Sequence, residues 1–165
     1  QVMLNNFVVE RAYFSGEEIG ILQSLREVPG FLAFTAIWVM LVIRQQSFAV
    51  LSLLLLGFGT AITAFYPTAM WLYFSTVIMS IGFHYLETLH NSLSLQWLST
   101  DEAPEVLGKL MSARAICNFL VLGSLYLYLL IYSVNYALVY LIAGGVAIAI
   151  GLFCWAGIQI GRAHV

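Results

Sequence analysis

The stretch AMWLYFSTVIMSIGFHYLETLHNSLSLQWL, residues 69–98, decides the fold. It is mostly apolar over more than the about 20 residues an α-helix needs to cross the hydrocarbon core of a bilayer. Within it Tyr73, Thr76, Ser80, His84, Glu87, Asn91 and Ser94 recur at steps of three and four. At about 100° per residue they fall within a sector of roughly 80°. A polar stripe that includes a His and a Glu must face protein or water, because ionisable groups are costly against lipid. Residues 69–98 therefore read as a membrane-spanning helix with one functional face.

The same length rule, applied outward, predicts helices at 16–43, 47–65, 105–131 and 136–159, with residues 1–9 as the end of an earlier span. Polar connections separate them: Glu10 to Ser15, Arg44-Gln45-Gln46, Tyr66-Pro67-Thr68, Ser99 to Pro104, and Tyr132 to Asn135. Glu17 and Glu18 suit the positive end of a helix dipole, and Pro104 suits a first helical turn. Unbroken apolar runs such as Val50 to Phe58 lack the strict alternation of a membrane β-strand. The fold class is thus an all-α membrane protein with five complete transmembrane helices and the end of another.

Composition agrees. Of 165 residues 62% are hydrophobic and 8% charged. Six basic and eight acidic side chains stand where a soluble chain of this length carries about 40 charges, too few to build a water-facing surface. A formal charge of −2 offers no field for nucleic acid. Cys117 and Cys154 lie in apolar runs and read as small core residues rather than a disulfide or metal site. The first residue is Gln1, so the natural start is expected to lie upstream. Residues 160–165 match a translated sequencing adapter and are expected not to be native. The chain then reads as a fragment with its native part at 1–159.

Ionisable groups inside spans occur on the helices at 16–43, 69–98 and 105–131. The first carries Gln23, Arg26 and Glu27, followed by Pro29-Gly30, a pair expected to kink the span and release backbone carbonyls. Arg26 and Glu27, being adjacent, point about 100° apart and are expected not to neutralise each other. The third carries Arg114 and Asn118. Helices 47–65 and 136–159 carry no charge and are expected at the lipid-facing periphery, the former mostly lipid-facing. Gly57, Gly59 and the series Ala143, Ala147, Gly151 read as packing faces. The stripe at 69–98 has two readings, a substrate pathway or polar glue between helices, and its His and Glu favour the pathway. His84, Glu87 and His90 spread over about 120° of helix, a poor arrangement for a metal. Glu87 and Arg114 lie at nearly equal distances before and after the connection at Asp101, about 20 Å along each helix, so an ion pair between them is expected. Arg44 and Lys109, with Arg114 nearby, mark the expected cytoplasmic side.

The order of these features resembles the N-terminal half of a major facilitator superfamily transporter. The residues Phe14-Ser15-Gly16-Glu17-Glu18-Ile19-Gly20 are similar to the start of that family's second helix, and Asp101 to Leu110 to its fourth-to-fifth connection. The short turn at Arg44 falls where the family's signature loop lies, but of Gly-x-x-x-Asp-Arg-x-Gly-Arg-Arg it keeps only one base. The Gly-Pro-rich motif of antiporter fifth helices is absent around Asn118 to Ser124.

The resemblance implies a half-bundle that moves a small solute by alternating access, with a polar cavity lined by helices 16–43, 69–98 and 105–131. Arg26, Glu27, Ser80, His84, Glu87 and Asn91 are the candidate substrate or proton-pathway residues, and Glu87 with Arg114 a structural or gating pair. The expected partners are the bilayer, a small solute with proton coupling, and a C-terminal half of the same chain. The expected location is the cell membrane, as a multi-pass protein, with no cofactor and no enzymatic role. The competing classes are a membrane-embedded enzyme and a non-catalytic subunit. The first would want a Ser beside a His or paired aspartates, the second few intramembrane charges.

Overall fold

The computed structural model describes residues 2–132 and 135–163, and the described residues form helices and no strand. In chain order these are α1 (Val2–Glu10), α2 (Gly16–Phe31), a 3-10 turn (Leu32–Thr35), α3 (Ala36–Val42), α4 (Gln45–Ile62), α5 (Ala69–Trp97), α6 (Ala103–Ile131) and α7 (Tyr136–Ala163). Five segments are long and apolar enough to span a membrane: Gly16–Val42, Gln45–Ile62, Ala69–Trp97, Ala103–Tyr128 and Tyr136–Gln159. They are the five helices expected from the sequence. Ile160 to Ala163 continue α7, whereas His164 and Val165 of the expected foreign tail, and Ser133 and Val134 of the expected turn, lie outside the described residues.

Local chemistry sets the ends. Ser15 accepts from the Glu18 backbone N–H at 3.3 Å while the Glu18 carboxylate takes the Ser15 N–H at 2.8 Å, a reciprocal cap that starts α2. Ser99 and Glu102 repeat the side-chain contact at 2.7 Å ahead of α6, where Pro104 occupies the first turn. Between α1 and α2 the chain turns through Tyr13 in the left-handed conformation, φ 54°. The span expected at 16–43 is not one regular helix. It tightens into a 3-10 turn just after Pro29-Gly30-Phe31, where a ring without an N–H and a residue without a side chain weaken the α-helical ladder.

Two compact units divide the chain, Gln1–Leu89 with Tyr136–Val165, and His90–Asn135. In the first, glycines set the packing. A Cβ on Gly59 would lie 2.5 Å from the Met79 nitrogen, and one on Gly82 would run into the Ser52 and Leu56 backbone. Rising numbers on α4 meet falling numbers on α5, so the two are antiparallel. On its other side α4 meets α7 in the same sense, Gly57 and Ala61 against Gly144, and Leu54 against Gly151. Such close backbone approach supplies the dispersion contacts that hold helices together where lipid is as apolar as leucine. At one end Ala36, Phe48 and Leu89 form a buried cluster joined by Val39, Met40, Ile43 and Tyr85. At the other, Phe7 of α1 packs on Tyr136 and Tyr140 of α7, with ring centroids 5.2 and 5.8 Å apart, and the Tyr136 hydroxyl donates to Glu10 at 2.6 Å.

Three expectations are corrected. Helix α4 is enclosed rather than peripheral: Phe48, Val50, Ser52, Gly57, Gly59 and Ile62 are buried, and only Gln46, Leu51 and Phe58 are exposed. Freedom from charge shows that a helix tolerates lipid; its glycines show that it has neighbours. On α7 the close face keeps Gly151 of the expected series but otherwise runs through Gly144 rather than Ala143, which is exposed. Cys117 and Cys154 are free thiols on exposed helix faces, not core residues.

The second unit holds the end of α5, the Ser99–Glu102 turn and α6. No described residue of α6 is buried. Arg114 and Asn118 are exposed, and Glu105 pairs with Lys109 one turn on at 2.6 Å.

Candidate functional site

The polar stripe of α5 lies along α2. The Tyr73 hydroxyl donates to the Glu18 carbonyl at 3.4 Å, and the Ser80 hydroxyl donates to the Arg26 carbonyl. These partners are 55 and 54 residues apart, so the helices run parallel at nearly constant offset. The same offset brings His84 opposite Gly30. A Cβ on Gly30 would meet Cε1, Nε2 and Nδ1 of the imidazole at 2.8, 3.0 and 3.1 Å, so the ring lies over bare backbone. One residue further, the Tyr85 hydroxyl shares a hydrogen bond of 2.7 Å with Thr35, at the end of the 3-10 turn. Both sides of the break are thus fastened to α5.

Burial grades along the stripe. Thr76 and Ser80 are buried, His84, Glu87 and Ser94 are half-buried, and Asn91 is exposed. Asn91, expected to face an interior, is exposed and belongs to the second unit. The Thr76 hydroxyl, wholly buried, makes no hydrogen bond among the described residues.

Arg26 and Glu27 are paired, against expectation. Arg26 Nη2 and Nε both donate to Glu27 Oε1, at 2.7 and 3.0 Å. Their Cβ directions diverge, but the long arginine stem spans the gap, a reach that helical-wheel geometry ignores. The stem is tucked in, with 17% of the Arg26 side chain exposed against 61% for Glu27. Glu27 lies one helical turn before Gly30, on which His84 rests. Arg26, Glu27, Ser80 and His84 are therefore brought together. Glu87 stands one turn beyond His84 on α5, and Arg114 belongs to α6 in the second unit.

The sequence reading missed three participants. Asn5 of α1 accepts from the Gln23 amide at 2.8 Å, extending the polar seam to a third helix; its trace was an amide in the apolar run 1–9. Gly30, read as part of a kink, is also the seat of His84. Thr35 gave no signal, since its partner is fixed only by the pairing offset of two distant helices. Among the described residues no three of His, Cys, Asp and Glu gather to hold a metal ion. The arrangement suits polar or charged solutes and protons: an exposed carboxylate, an imidazole and a covered guanidinium in an apolar surround.

Comparison with known proteins returned no matching family model, curated protein or solved structure.

Proposed function

We propose that this chain is the N-terminal six-helix half of a major facilitator type secondary transporter, moving a small solute across the cell membrane by alternating access. The observation that carries this reading is the α2–α5 seam, which gathers Arg26, Glu27 and His84 on spans that are otherwise apolar. Ionisable side chains at such depth mark substrate and ion routes, and a span interrupted beside them is a common transporter device. In this reading α2 and α5 line the cavity. Arg26, Glu27, Ser80, His84 and Glu87 contact solute or proton, and a C-terminal half completes the site.

The test is uptake by the complete protein in proteoliposomes, across a panel of organic acids, amines, sugars and nucleosides, with and without an imposed proton gradient. Accumulation of one class that Glu87→Gln and His84→Gln abolish supports transport. No movement of any solute by a folded, reconstituted protein overturns it.

A further inference from the structure

We infer that His84 is the proton-binding residue of this bundle and that Glu27 is its exchangeable partner, shared with Arg26. This rests on the transport reading and names the coupling ion and the residues that carry it. The geometry has three parts. The imidazole lies on Gly30, which shares a face of α2 with Glu27 one turn earlier. Both Arg26 hydrogen bonds land on the same atom, Oε1 of Glu27, so Oε2 remains for a second donor. The exposed carboxylate is the movable member of the pair; Arg26 has a covered side chain and a main-chain carbonyl held by Ser80.

When a proton adds to the unprotonated ring nitrogen of His84, the imidazolium gains a donor that Glu27 can accept. The proton comes from hydronium of the aqueous phase, so one O–H bond breaks as the N–H bond forms, water is released and the carboxylate stays ionised. A His–carboxylate contact then replaces or joins the Arg–carboxylate contact, and loss of the proton returns Glu27 to Arg26. The charged or titratable groups within two helical turns of Gly30 and of His84 are few. On α2 they are Arg26 and Glu27, and on α5 Tyr85, Glu87 and His90. The Leu32–Thr35 turn, α3 and α4 contribute none, and Asn5 and Gln23 are neutral amides. Glu27 is therefore the one acidic group that α2 brings to His84 from across the seam. Because His84 and Tyr85 hold opposite sides of the 3-10 turn, a change at His84 acts directly on the junction between α2 and α3.

The test is a ring-nitrogen NMR titration of His84 in the complete protein in lipid nanodiscs, with its signal identified by its loss in His84→Gln. Glu27→Gln should move the His84 midpoint to lower pH by about half a unit or more, and Arg26→Gln should move it to higher pH. Glu10→Gln, at the far end of α1, should leave it in place. Opposite shifts from neighbouring substitutions do not arise from misfolding. A midpoint unmoved by Glu27→Gln, or an imidazole that never titrates between about pH 4 and 9, overturns the assignment. The two claims separate cleanly. Shifts without movement of any solute keep the proton site and sink the transport reading; uptake with an unmoved midpoint does the reverse.

Discussion

Arg26 and Glu27 show where residue-level reading succeeds and where it fails. Their residue types alone marked α2 as functional, because charge is costly in a span. Their pairing was not legible, because helical wheels place Cβ atoms and not the end of a four-bond arginine stem. Ser80 was legible only as a polar residue on the correct face; its partner is a main-chain carbonyl, which no sequence pattern marks. Ser80→Ala should lower stability by about 0.6 kcal/mol, the usual worth of one interhelical hydrogen bond in a membrane, measured by reversible denaturation in mixed micelles. Gly30→Val should do more, since its Cβ alone would come 2.8 Å from the imidazole. The ring must leave its seat, and the His84 NMR signal should shift while Phe83 and Thr88 signals on the same helix change little. At Tyr13, φ 54° imposes a cost that glycine does not bear, so Tyr13→Gly should stabilise the chain by about 1 kcal/mol in the same denaturation assay.

At the scale of elements, the sequence placed every helix within a few residues, because length and hydropathy in a membrane leave few alternatives. The interruption at Leu32–Thr35 was foreseen as a kink from Pro29-Gly30 and takes the form of a 3-10 turn. The neighbours of each helix were harder to read. Charge-free α4 looked peripheral, yet it packs on α5 through Gly59 and Gly82 and on α7 through Gly57 and Gly144. The adjacent glycines Gly144 and Gly145 allow a matched test. A Cβ at Gly144 would lie 2.5 Å from the Ala61 nitrogen, whereas at Gly145 nothing lies within 4 Å. Gly144→Ala should destabilise by about 1–3 kcal/mol through overpacking. Gly145→Ala should be neutral or stabilising by up to about 1 kcal/mol, because alanine is the better helix former. Equal effects from the two, in the same denaturation assay, would mean that α4 and α7 do not meet through this face.

For the whole molecule, the candidate site was legible as residue types on helices and not as an arrangement. The stripe on α5 follows from its period, but its pairing with α2 at an offset of 54 to 55 residues depends on the way the helices pack together. Transport should respond differently from stability: Glu87→Gln should cut the initial rate of uptake about tenfold or more while folded yield in membranes stays near wild type. The place of α4 also bears on how the protein is made. A ribosome delivers α4 and α5 in succession, joined by a short turn that Trp71 secures to the Ile62 carbonyl at 2.8 Å. These two can settle together as soon as they leave the insertion machinery. The glycine face that α4 offers to α7 has no such early companion, because all of α5 and α6 are synthesised first. During that interval a bare strip of helix backbone stands ready for whatever small-residue helix drifts past. Nascent chains halted after α6 should therefore be the ones that insertion chaperones hold and quality-control proteases remove.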